Sequence, residues 1–121
     1  MEPSTNFTEL IVWQKAHQFA LKTYALTKGF PRDEIYGLTS QFRRAAVSVA
    51  ANIAEGYARK GDRDKLRFFN YAQSSLQECK YYVLLAKDLN YAYDAPLNEL
   101  AEEVSKLLHS YSRTIKTRIG N

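Results

Sequence analysis

The 121-residue chain is short of the residues that disulfides, long loops and membrane segments require. Its one cysteine, Cys79, excludes a disulfide within the chain, and five glycines with three prolines leave little sequence for irregular loops. The longest apolar run, residues 81–86, is far shorter than the roughly 20 residues that span a bilayer, so we exclude membrane insertion. No signal-peptide layout occurs at the N-terminus, and we therefore expect a cytoplasmic protein.

The sequence also lacks the residue sets that indicate catalysis or metal binding. Its two histidines, His17 and His109, fall in the first and last predicted helices, and no glycine-rich phosphate loop or metal-spaced His/Cys set occurs. Glu102 and Glu103 are adjacent, so on a helix they point about 100 degrees apart and cannot act as a pair. We expect no enzymatic activity, no cofactor and no metal.

What is present suits one globular domain. Hydrophobic residues make up 45% of the chain and charged residues 25%, which is enough for one core. Seventeen Lys and Arg against thirteen Asp and Glu give a net charge of +4. This excess is compatible with an anionic partner but does not identify one.

Helical periodicity and stop signals predict four helices, at about 8–28, 33–60, 62–91 and 95–118, after a flexible arm over residues 1–7. Short connections predict antiparallel neighbours, hence an all-α, up-down-up-down four-helix bundle in a single domain over residues 8–119. In the first helix we expect an inward face formed by Trp13, Ala16, Ala20, Tyr24 and Thr27.

The second predicted helix carries three different surfaces. One apolar row consists of Ile35, Leu38, Phe42, Ala45, Val49, Ile53 and Gly56. A second row of small residues, with Ala46, Ala50 and Ala54, would let another backbone approach closely. The third helix is apolar almost all round at residues 81–86. Because both helices are apolar on two sides, we expect the protein to form a homo-oligomer.

Polar residues on the second and third helices predict a seam between them. If these helices turn at Gly61, the opposed pairs are Arg44 with Glu78, Ser48 with Ser74, Asn52 with Asn70, and Glu55 with Arg67. This arrangement predicts a salt bridge near each end of the seam. The alternative is that each row is a solvated flank.

Two basic clusters are candidates for nucleic-acid binding. The first is a strip on the fourth helix formed by Lys106, His109, Arg113 and Lys116, and no acidic residue follows Glu103. The second surrounds the turn after the second helix and consists of Arg59, Lys60, Arg63, Lys65 and Arg67, diluted by Asp62 and Asp64. Such cations bind phosphates without reading sequence. The alternative is a solvated face with charges that favour a helix C-terminus.

Three strings resemble a known family: LIVWQKA at 10–16, FPRDEIYGLTSQFRRAAVSVAANIAEG at 30–56, and FFNYAQSSLQE at 68–78. They are similar to bacterial four-helix-bundle proteins encoded by intervening sequences inside 23S ribosomal RNA genes. That family is similar in turn to the accessory variability determinant of diversity-generating retroelements, which partners a reverse transcriptase.

The resemblance implies a ring-like homopentamer with a basic surface that binds RNA or DNA, and no enzymatic activity. Many members have a proline where this chain has Ala50 or Ala51, which implies a milder kink in the second helix here. We therefore predict an oligomer that binds structured RNA. The alternative is a protein-interaction scaffold that partners a reverse transcriptase or another protein.

Overall fold

The computed structural model describes residues 6–120 and contains four α-helices over that range. They are α1 (Ile11–Thr27), α2 (Leu38–Ala58), α3 (Asp62–Asp88) and α4 (Ala95–Arg118). Short 3-10 helices, Phe7–Glu9 and Arg32–Glu34, precede α1 and α2, and no strand occurs within residues 6–120. The all-α prediction is confirmed. Residues 1–5 of the flexible arm predicted over residues 1–7 lie outside the described residues. Its last residue, Phe7, begins the first 3-10 helix.

The helices form a closed bundle with antiparallel neighbours. Each helix packs against the one before and the one after it in the chain, and α4 also packs against α1. Asp62 at the beginning of α3 pairs with Arg118 at the end of α4, at 3.0 Å. Farther along α3, Lys80 pairs with Glu102 near the beginning of α4, also at 3.0 Å. The up-down-up-down topology follows from these contacts. Within the described residues, no helix is both long and apolar enough to cross a membrane.

All four helices contribute apolar side chains to one core. The largest fully buried side chains include Phe19, Phe42, Ile53, Leu76, Leu97 and Leu108. On α2 the predicted apolar row is buried from Leu38 to Gly56, and on α4 the helical period turns the apolar stripe inward. The opposite side of α4 consequently faces outward.

The predicted inward face of α1 is right at Ala16, Ala20 and Thr27, which are buried, and wrong at its two aromatic residues. Trp13 is only half-buried and Tyr24 is 42% exposed, whereas the preceding residues, Val12 and Thr23, are buried. The two threonines fit in the core because their hydroxyls donate to helix carbonyl oxygens, at 2.8 Å in both cases. A polar residue whose hydrogen bond is satisfied locally adds little cost to burial.

The second helix begins later than predicted. Residues 32–34 form a 3-10 turn, and α2 starts only after Gly37, whose φ of −113° and ψ of −117° are not helical. Ile35 therefore does not join the apolar row and is 56% exposed.

α2 and α3 approach each other closely at Gly56. A Cβ atom there would lie 2.7 Å from Cε1 of Phe69 and 3.3 Å from the carbonyl oxygen of Lys65. The missing side chain lets the Phe69 ring pack on the α2 backbone. We infer that this contact sets the rotation of α3 about its axis.

Candidate nucleic-acid interface

The basic strip on α4 is exposed along its whole length. Lys106, His109, Arg113 and Lys116 all have exposed side chains, and none forms an ion pair with another residue of the described chain. The strip faces outward because α4 buries Val104, Leu108 and Ile115 on its other side. Its cations can therefore contact a ligand without breaking an existing salt bridge.

Two arginines of the turn cluster are already engaged with neighbours. Arg59 donates to Glu55 at 2.7 Å, and its guanidinium lies over the Phe68 ring, 4.4 Å from the centroid. Arg67 lies over the same ring at 4.8 Å and pairs with Asp64 at 2.7 Å. Their charges are largely balanced locally, which makes them weaker candidates for phosphate contacts than the strip.

Lys65 has a structural contact as well. Its Nζ donates to the carbonyl oxygens of Gly56 and Tyr57, at 3.3 and 2.8 Å, so it caps the last turn of α2. Burial lowers the pKa of Lys65. Within this cluster only Lys60 and Arg63 are exposed and form no hydrogen bond or ion pair with the rest of the described chain.

The polar seam exists, but with different partners. Ser48 pairs with Ser75 at 2.8 Å rather than with Ser74, and Asn52 donates to the backbone and hydroxyl oxygens of Ser48. Ser74 and Asn70 instead line a groove beside α4. One residue along a helix rotates the side chain by about 100 degrees, and α3 packs against α2 so that Ser75, and not Ser74, faces Ser48.

The two predicted salt bridges do not form, although all four residues are described. Glu55 and Arg67 pair within their own helical turns, since side chains three or four residues apart are neighbours. Glu78 accepts a hydrogen bond from the Tyr82 hydroxyl at 2.6 Å, which raises the pKa of Tyr82 to about 12. Arg44 is exposed and, with Glu78, Ser48 and Ser75, lines a shallow cavity between α2 and α3.

A polar groove lies between α3 and α4, and we did not predict from the sequence that its residues come together. It has a volume of ≈ 390 Å³ and is lined by Asn70, Gln73, Ser74, Gln77, Ser105, His109, Ser112 and Lys116. We call it the α3–α4 groove. Two residues of the basic strip, His109 and Lys116, line it together with Ser105 and Ser112. These four recur every three or four residues, a helical period that could have revealed the row in the sequence.

A second groove, between α1 and α2, is almost wholly apolar. It has a volume of ≈ 370 Å³ and is lined by Phe7, Trp13, His17, Ala20, Leu21, Tyr24, Val47, Ala50, Ala51 and Ala54. His17 stacks on Trp13 with ring centroids 4.8 Å apart, so it belongs to this surface as a packed aromatic residue. We call it the α1–α2 groove. It includes two of the small residues that predict close approach of another backbone.

The chemistry of the remaining titratable groups is limited. Within residues 6–120, no group of three or more His, Cys, Asp or Glu residues is placed to hold a metal ion. Burial raises the pKa of Cys79 to about 12, so this thiol stays protonated at neutral pH and is a poor nucleophile.

Comparisons with known proteins agree with this architecture. The fold is similar to the crystal structure of a protein of unknown function from the S23 ribosomal protein family of Bacteroides thetaiotaomicron VPI-5482, with a TM-score of 0.75. The two chains are 23% identical, and the match covers 84% of this chain and 98% of that one. A search of curated proteins finds no match. The sequence model of one family matches residues 8–112, nearly the whole bundle, and the chain therefore belongs to the 23S rRNA-intervening sequence protein family.

Proposed function

We propose that this protein binds nucleic acid, and structured RNA in particular, through phosphate contacts made by the basic strip on α4. The observation that carries the proposal is that Lys106, His109, Arg113 and Lys116 are all exposed without an ion-pair partner in the described chain. Unpaired lysines and arginines on one helical face supply the sequence-independent part of nucleic-acid affinity. The family's description, which refers to 23S rRNA, supports RNA over DNA.

Lys60 and Arg63 extend the proposed surface. The ion pair between Arg118 and Asp62 joins the end of α4 to the beginning of α3. The C-terminal end of the strip therefore lies at the same end of the bundle as the turn that carries Lys60 and Arg63. A phosphate backbone that follows the strip would reach these two cations next.

The decisive experiment is the salt dependence of RNA binding. Replacing Lys106, Arg113 and Lys116 together by glutamine should weaken binding and reduce the slope of log K against log salt, because each lost phosphate contact removes about 0.7 to 0.9 from that slope. Fluorescence anisotropy with a labelled structured RNA, over a series of salt concentrations, measures both quantities.

A matched control removes three charges elsewhere. Lys22, Lys28 and Arg32 are exposed and form no ion pair within the described chain, so their glutamine variant has the same net charge as the test variant. This control variant should retain most of the slope of log K against log salt. Equal losses in the two variants would mean that net charge, and not the α4 strip, determines binding.

A second candidate function is a protein-interaction scaffold or accessory subunit, for which the partner would be a reverse transcriptase or another protein that itself holds the nucleic acid. Exposed apolar side chains on α3 favour it: Tyr81 is 57% exposed and Leu84 is 53% exposed. Neighbouring genes distinguish the two functions. A ribosomal RNA operon favours RNA binding, whereas a reverse transcriptase with a repeat pair favours the scaffold.

In both cases we propose a non-enzymatic, cytoplasmic homo-oligomer. The α1–α2 groove supports association, because it presents a nearly continuous apolar surface at the side of the bundle. The family resemblance suggests five subunits. Size-exclusion chromatography with light scattering, recorded at 260 and 280 nm on protein not treated with nuclease, reports assembly and bound nucleic acid together.

A further inference from the structure

The α3–α4 groove contains one hydroxyl that the fold leaves without a partner. Ser112 is 7% exposed, and its Oγ is buried without a hydrogen bond to any described residue. Two threonine hydroxyls on the same helix are paired. Thr114 donates to the carbonyl oxygen of Ser110 at 3.1 Å, and Thr117 donates to that of Arg113 at 3.0 Å. Buried polar groups are nearly always paired, and Ser112 lines the groove, so a rotation about χ1 that turns this hydroxyl towards the groove would let a ligand supply the missing partner.

The other groove residues define the chemistry of that ligand. No carboxylate lines the groove, and Lys116 and His109 place cationic or hydrogen-bonding groups on its α4 side. Gln73 and Gln77 supply amides from α3, each of which can donate and accept hydrogen bonds. An anion alone would leave the amide acceptors unused. A ligand that combines a phosphate with neutral donors and acceptors uses all of these groups.

A ribonucleotide has this combination. Its phosphate suits Lys116, its base edge suits side-chain amides, and its 2′-hydroxyl donates and accepts as a serine hydroxyl requires. The groove volume of ≈ 390 Å³ lies within the range of small-ligand sites. The position of Ser112, between His109 and Lys116 on α4, would place the ribose next to the phosphate contact.

We propose that the α3–α4 groove is a subsite for one unpaired ribonucleotide of the bound RNA, with the Ser112 hydroxyl bonded to the ribose 2′-hydroxyl. The inference rests on the proposed function, since it names the part of RNA that the α4 surface recognises. It makes the protein distinguish RNA from DNA at this position without a change in the electrostatic contacts.

The test compares Ser112→Ala with Ser110→Ala. Both remove a serine hydroxyl from α4, but Ser110 is exposed and lines a different cavity. The probes are labelled oligo(U) and oligo(dU) of equal length, measured by fluorescence anisotropy at one salt concentration. Ser112→Ala should weaken oligo(U) binding about tenfold, the usual effect of one lost hydrogen bond, and leave oligo(dU) binding unchanged. Ser110→Ala should change neither.

Because Ser112→Ala removes a buried unpaired hydroxyl, the variant should fold at least as well as the wild type, and its melting temperature verifies this. The substitution changes no charge, so the salt slope should not move. If the wild type binds oligo(U) and Ser112→Ala binds it equally well, the subsite is wrong and the α4 strip stands. An equal loss for oligo(U) and oligo(dU) would contradict the ribose contact. If the wild type binds the structured RNA of the salt series but not oligo(U), the subsite is wrong and the α4 strip stands. If it binds neither, the proposed function fails and the subsite fails with it.

Discussion

At the scale of single residues, one carboxylate holds the beginning of α2. Gly37 at the N-cap has no side chain to accept from the first helical N–H groups, so Glu34 does this from farther back. Its Oε1 accepts from the Leu38 N–H at 3.1 Å, and its Oε2 accepts from the Tyr91 hydroxyl at 2.7 Å. Glu34 thereby links the start of α2 to the connection between α3 and α4. Both hydrogen bonds, that of Tyr91 first, lower the pKa of Glu34.

The first residue-scale prediction concerns Glu34→Gln. A carboxylate whose folded pKa is lowered stabilises the fold above its unfolded pKa, near pH 4, and loses that contribution as the pH falls through the folded pKa. The variant should therefore melt a few degrees below the wild type at pH 7, and the difference should shrink towards pH 3. Thermal unfolding followed by circular dichroism at a series of pH values measures this.

Glu99→Gln is the control for that experiment. Glu99 is exposed on α4 and forms no hydrogen bond or ion pair within the described chain. Its substitution should leave the melting temperature nearly unchanged at every pH. A difference between Glu34→Gln and the wild type that grows on acidification would contradict the assigned role.

The predicted site residues show what a sequence can reveal at this scale. The α4 strip could be identified because charge and helical period both lie in one segment. The local contacts of the turn cluster could not be predicted. Lys65 donates its hydrogen bonds to backbone carbonyl oxygens, and no pattern of residue types indicates such a contact. The ion pair of Asp62 with Arg118 joins residues far apart in the chain. Which cations remain free is thus a property of the fold.

At the scale of elements, the α2–α3 hairpin depends on one missing methyl group. Gly56→Ala would place a Cβ 2.7 Å from the Phe69 ring, and overpacking a fitted core costs about 1 to 3 kcal/mol. The better helix propensity of alanine returns about 1 kcal/mol, so we expect a net loss of stability of up to about 2 kcal/mol. The urea midpoint of unfolding measures the difference.

Gly61→Ala provides the matched control. A Cβ at Gly61 would meet nothing within 4 Å, and its φ of −88° suits any residue. This variant should be close to neutral, since alanine restricts the unfolded chain but is less favourable than glycine at the N-cap of α3. If Gly56→Ala were as stable as Gly61→Ala, the close approach of Phe69 to α2 would not be what orients α3.

The elements also show where periodicity succeeds and where it fails. The bounds of α4 agree with the prediction because a single apolar stripe and a proline mark it clearly. On α1 the prediction placed Tyr24 inward instead of Thr23, because a threonine looks polar in sequence although its hydroxyl is satisfied within the helix. The late start of α2 depends on the backbone angles of Gly37. A glycine permits these angles, but its presence in the sequence does not predict them.

At the scale of the whole molecule, the bundle leaves apolar surface uncovered on two sides. Leu21 and Val47 are 57% and 45% exposed on the rim of the α1–α2 groove, while Tyr81 and Leu84 are exposed on α3. Exposed apolar patches of this kind mark interaction sites in folded proteins. Two such surfaces on different sides of one chain suit a head-to-tail contact, which closes into a ring when the rotation between neighbours permits.

The last prediction is that Val47→Glu breaks this assembly. By light scattering at micromolar concentration, the wild type should have a mass near five times the 13.9 kDa of one chain, and the variant should approach a single chain. Val47 is already exposed, so glutamate there should not disturb the core. Tyr36→Glu, at a residue that is 94% exposed and outside both grooves, should remain assembled. A wild-type mass of one chain would refute the oligomer.

If assembly is required to present several α4 strips to one RNA, Val47→Glu should also weaken RNA binding while leaving every strip intact, because linked sites bind with greater avidity than separate ones.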